Sequence, residues 1–96
     1  MQAKMLNESF WVKETQADVL FSHYEKLLKD SGFTIVESSN KMFYPHGFTA
    51  LFLLSESHLA IHSFPEHGRS YIELSSCIDG PYQRFVANDT MERYQA

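Results

Sequence analysis

Apolar residues recur along this chain at two different spacings, and the changes of period mark out the elements. Met5 to Lys13 carries Phe10, Trp11 and Val12 and reads as a first strand. Leu20, Tyr24, Leu27 and Leu28 then fall at i, i+4, i+7 and i+8, the spacing of one helix face, with Gly32 as the stop. Thr15-Gln16-Ala17-Asp18 ahead of them has the form of a capping box. Phe33 to Glu37 predicts a second strand, and Asn40 to Gly47 a loop punctuated by Pro45 and Gly47. Phe48 to Ser55 is apolar almost without interruption, as expected of a strand covered on both faces. Ser57 to Phe64 and Arg69 to Cys77 alternate with period two, and Pro65-Glu66-His67-Gly68 supplies the turn between them. Pro81 is tolerated in the first turn of a closing helix. The pattern predicts an α+β fold, a largely antiparallel β-sheet packed against two helices on one face. Residues 1–96 read as a single domain, without repeat or linker.

Composition narrows the function classes. A net charge of −4 with no basic stripe argues against a nucleic-acid partner. The longest apolar run, Ala50 to Leu54, is far short of the roughly 20 residues that span a bilayer, so no membrane is expected. Cys77 is the single cysteine, which excludes an internal disulfide and fits a reducing cytoplasm. Ninety-six residues make a small core, so the chain gains from association.

Hairpin geometry adds an expectation about chemistry. A turn centred on His67 places Ser57 opposite Cys77, with Cβ atoms roughly 5 Å apart. His62 lies five residues along the strand from Ser57, about 17 Å at the usual rise, and cannot reach it within an extended strand. His58 and His62 would lie about 13 Å apart on a strand, too far for one metal ion. No other histidine–carboxylate spacing of metalloenzyme type is present, so no metal is expected.

Residues 54–66, Leu-Ser-Glu-Ser-His-Leu-Ala-Ile-His-Ser-Phe-Pro-Glu, resemble the self-cleavage segment of the prokaryotic S-adenosylmethionine decarboxylase proenzymes. The resemblance extends from Phe43 to Cys77 and includes Phe43-Tyr44-Pro45-His46-Gly47-Phe48-Thr49, similar to a Phe-x-Pro-x-Gly-x-Ser segment of that family. Asp79 to Phe85 matches only loosely, and the chain reads as a shortened member, one half of the family's sandwich.

The resemblance implies cleavage between Glu56 and Ser57, with Ser57 becoming a covalent pyruvoyl group. That cofactor would form a Schiff base with the substrate amine and act as an electron sink while carbon dioxide leaves. His62 matches the histidine that removes the serine α-proton. Thr49 matches a serine that hydrogen-bonds the ester-forming intermediate, and Cys77 the cysteine that returns a proton to the product carbon. Phe43 and Phe64 match the aromatic positions that sandwich adenine, and Glu66 the carboxylate that accepts from the ribose hydroxyls. The implied substrate is S-adenosylmethionine, decarboxylated for spermidine synthesis. The implied partner is a second copy of the chain, bringing His62 of one protomer to Ser57 of the other. Two alternatives stay open: a pyruvoyl-dependent decarboxylase of arginine or ornithine, and an unprocessed, non-catalytic nucleoside-binding relative.

Overall fold

The third strand explains how the sheet divides its two faces. In β3 (Phe48–Leu54), Phe48, Ala50, Phe52 and Leu54 are buried, whereas Leu51 and Leu53 are 49% and 50% exposed. The uninterrupted apolar run is therefore covered on one face only within the chain, and the expectation of cover on both faces is corrected. The computed structural model describes residues 4–95. Their order is β1 (Leu6–Val12), α1 (Ala17–Ser31), β2 (Ile35–Met42), β3, β4 (Ser57–Phe64), a 3₁₀ turn (Pro65–His67), β5 (Arg69–Ser76) and α2 (Asp79–Asn88). The five strands form one antiparallel sheet in the order β1-β5-β4-β3-β2. Both helices cover its inner face, which carries Leu59, Ile61, Ile72 and Leu74, all fully buried.

Helix α1 buries the stripe read from its spacing: Leu20, Tyr24, Leu27 and Leu28. Gly32 ends it in the left-handed conformation, φ 103°, and its N–H caps Leu28 and Lys29 carbonyls. The capping box does not form. Gln16 occupies the N-cap without a side-chain bond, Glu14 accepts from the N–H groups of Thr15 and Gln16, and Asp18 accepts from Val19 N–H.

Strand β2 runs five residues beyond its predicted end, to Met42, and shortens the loop to Phe43–Gly47. It pairs only with β3 and is exposed from Val36 onward, so no apolar alternation marks it. Segment 92–94 returns along β1, where a bridge joins Val12 to Arg93, so the tail holds more than the single helix expected. Asp89 anchors this return: its carboxylate meets His23 Nε2 at 2.9 Å and accepts from Tyr24 Oη at 3.0 Å and from the Met91 N–H. No helix among the described residues is long and apolar enough to cross a membrane.

Candidate active site

The residues singled out above fall into two groups at opposite ends of strand β4. At its start, Ser55 and Glu56 form the two-residue turn from β3, and Leu54 faces Ser57 across the ladder. Ser57 is buried on the inner face and donates to Ser76 Oγ at 2.9 Å. Ser76, not Cys77, is its cross-strand neighbour, because the β4–β5 ladder is centred between Glu66 and His67 and not on His67. Cys77 lies one residue past the end of β5 and is exposed. Leaving the strand turns its side chain toward the turn: Cys77 Sγ donates to the Glu56 carbonyl oxygen at 2.9 Å and approaches Glu56 Oε2 at 3.5 Å. The sole thiol thus contacts the carbonyl of the Glu56-Ser57 peptide bond. Desolvation first, and then the Glu56 carboxylate, push the Cys77 thiol above its ordinary pKa, so it carries its proton at neutral pH.

At the far end, Phe43, Thr49, His62, Phe64 and Glu66 line one open cavity of about 260 Å³ together with His46. Thr49 and His62 are cross-strand partners on the outer face, with Thr49 Oγ1 3.3 Å from His62 Nδ1. Tyr71, opposite His62 on β5, stacks on the imidazole at 6.4 Å between ring centroids, and Trp11 flanks Tyr71 at 5.1 Å. Phe64 is 37% and Phe43 46% exposed, so both rings present surface to the cavity mouth. Glu66 meets His46 Nε2 at 2.6 Å.

The structure therefore brings together five of the predicted residues and keeps Ser57 and Cys77 apart from them. Strand β4 stays extended from Ser57 to Phe64, which leaves about 17 Å between Ser57 and His62 and puts their side chains on opposite faces. Sequence reasoning missed Ser76, Tyr71 and the His46 contact. The register, read one residue differently, would have named Ser76. No group of three or more histidine, cysteine or carboxylate side chains is placed to hold a metal among the described residues.

The profile of the S-adenosylmethionine decarboxylase family matches residues 12–93. The Archaeoglobus fulgidus S-adenosylmethionine decarboxylase proenzyme is 35% identical over 78 residues, covering 78% of this chain and 70% of that protein. The proenzyme of Fervidobacterium nodosum is 37% identical over 70 residues, covering 71% of this chain and 51% of its own length. The chain thus spans about half the length of that relative, and 40% of the Persephonella marina proenzyme, to which it is 43% identical over 53 residues. The crystal structure of the adenosylmethionine decarboxylase from Aquifex aeolicus superposes with a TM-score of 0.71 at 23% identity, covering 97% of this chain and 86% of that one.

Proposed function

This chain belongs to the S-adenosylmethionine decarboxylase family, and on that premise we propose that it cleaves itself at Glu56-Ser57 and then decarboxylates S-adenosylmethionine in the cytoplasm, supplying the aminopropyl donor for spermidine. The observation that carries this reading is the 2.9 Å contact from Cys77 Sγ to the Glu56 carbonyl oxygen. Ser57 Oγ attacks the Glu56 carbonyl carbon, and negative charge develops on the oxygen that Cys77 already contacts. The C–N bond then breaks, the hydroxyl proton ends on the freed nitrogen, and an ester joins Glu56 to the Ser57 side chain. Loss of the Ser57 α-proton to a base breaks the Cβ–O bond and releases Glu56 as a carboxylate. Hydrolysis of the resulting dehydroalanine expels ammonia and leaves a pyruvoyl group at position 57.

A base is required near Ser57, and His62 of the same strand is on the wrong face and too far. His62 of a second copy, related by a two-fold axis, fits the requirement. Thr49 holds Nδ1 of that imidazole, leaving Nε2 without a hydrogen-bond partner among the described residues. The two groups at opposite ends of β4 then become two halves of one site.

The pyruvoyl group, once formed, supplies an electrophilic carbonyl that draws electrons from the substrate as carbon dioxide leaves. Phe43 and Phe64 offer aromatic faces to an adenine. Glu66 offers a carboxylate to the ribose hydroxyls, and Cys77, kept protonated, gives a proton to the product carbon. The processed protein is expected to release carbon dioxide from S-adenosylmethionine and not from arginine or ornithine. Glu66→Gln should weaken substrate binding by about 1–3 kcal/mol, the worth of a charge-assisted hydrogen bond. Equal turnover of an amino acid lacking the nucleoside would replace this substrate assignment.

A further inference from the structure

Two separate segments build the mouth of the 260 Å³ cavity, and one polar side-chain contact among the described residues joins them. On one side, the Phe43 N–H donates to the Gly47 carbonyl at 2.9 Å and closes loop 43–47 into a unit. Gly47 has φ 111°, a left-handed conformation that a side chain would strain. Phe43 and His46 therefore share one closed loop. On the other side, Gly68 N–H returns to the Pro65 carbonyl at 3.1 Å and closes the corner that carries Phe64 and Glu66. Each segment thus holds one aromatic wall and one polar group. His46 Nε2 and Glu66 Oε2, 2.6 Å apart, span the gap between them.

A carboxylate only accepts hydrogen bonds, so His46 donates through Nε2, and the second carboxylate oxygen, Oε1, stays available. A glutamate on its own would have to give up side-chain freedom when it bound a diol. Held from one oxygen, Glu66 is already oriented.

We propose that His46 is a positioning residue of the nucleoside subsite: it holds the Glu66 carboxylate so that its free oxygen receives a vicinal diol between the two aromatic walls. The inference rests on the reading of Phe43, Phe64 and Glu66 given above and adds a role that reading lacks. It predicts that His46 acts on ligands through their ribose hydroxyls and not through the base. His46 is 46% and Glu66 33% exposed at the side chain, so solvent competes for both and the effect is moderate.

The test measures binding of 5′-methylthioadenosine and of its 2′,3′-dideoxy counterpart by calorimetry. It uses the wild-type protein, His46→Ala, His46→Gln, and Tyr44→Ser as a control on a 98% exposed neighbour in the same loop. His46→Ala is expected to weaken methylthioadenosine binding about tenfold while changing the dideoxy ligand little. His46→Gln, whose amide N–H can reach the same carboxylate, should recover most of the loss, and Tyr44→Ser should match wild type. Equal loss for both ligands, no loss, or no recovery with glutamine would overturn the positioning role. If the wild-type protein binds neither ligand, the nucleoside subsite itself is wrong and this inference falls with it. If wild type binds both and His46→Ala is silent, only the inference falls.

Discussion

Cys77 shows how one residue's surroundings set its chemical state. Its thiol faces the Glu56 carbonyl at 2.9 Å and the Glu56 carboxylate at 3.5 Å, and desolvation first, then that carboxylate, favours a proton on sulfur. The raised pKa means fewer thiolates at a given pH, and the thiolate is the form that reacts with alkylating agents. On the uncleaved Ser57→Ala chain, the pH profile of iodoacetamide reaction should lie above that of an unstructured cysteine peptide. Adding Glu56→Gln should move it back down. A midpoint left unchanged by Glu56→Gln would show that Glu56 does not face the thiol. Residue identities in this region were legible from the sequence because the run from Leu54 to Glu66 is contiguous. The contacts were less so. A turn centre displaced by half a residue exchanged Ser76 for Cys77 as the neighbour of Ser57. His46 reaches Glu66 only because a loop and a corner converge, which no spacing within either segment announces. Tyr71 becomes a neighbour of His62 through strand pairing alone.

Among the elements, α1 was the most legible, since four apolar residues on one face leave little choice of packing. Strand β2 was the least, because a polar edge strand gains its order from hydrogen bonds to β3 and not from burial. The return of the tail was invisible in the sequence: it depends on Asp89, a polar residue whose side chain is 2% exposed, meeting His23 and Tyr24 across the fold. Removing that carboxylate leaves buried donors unpaired, so Asp89→Ala should cost about 3 kcal/mol in urea denaturation. Lys26→Ala, which loses only an exposed pair with Asp30, should cost about 0.5 kcal/mol or less. The same contact carries a pH signature. Burial first, and Asp89 next, push the Tyr24 phenol above its ordinary value of 10.0. The folded state therefore holds the phenolic proton more tightly than the unfolded state. Its contribution is intact below pH 10 and declines as pH rises beyond it. Tyr24→Phe should flatten that alkaline decline. Equal slopes for the two proteins would place the phenol elsewhere.

In the whole molecule, the outer face of the sheet is what the chain leaves unfinished. Leu51 and Leu53 stand half exposed there beside His62, Thr49 and Tyr71. The apolar run of β3 signalled cover on both faces, and a single chain supplies one of them. A second copy whose His62 reaches the start of this chain's β4 would unite the two ends of that strand into complete sites. Ser57→Ala and His62→Ala chains, folded together, should then complement each other. In a mixed dimer one site has both residues intact, and the serine in it belongs to the His62→Ala chain. Only that chain should be cut, as read by mass spectrometry of differently tagged chains. Cutting of neither, with mixed dimers present, would require the base to come from within the chain. All of this presupposes that the chain cuts itself, and intact-mass spectrometry of the purified wild-type protein tests that claim most directly. Two species, residues 1–56 and residues 57–96 with no free amine at position 57, are expected, and a single full-length chain for Ser57→Ala. A wild-type chain that remains whole after long incubation would contradict the account.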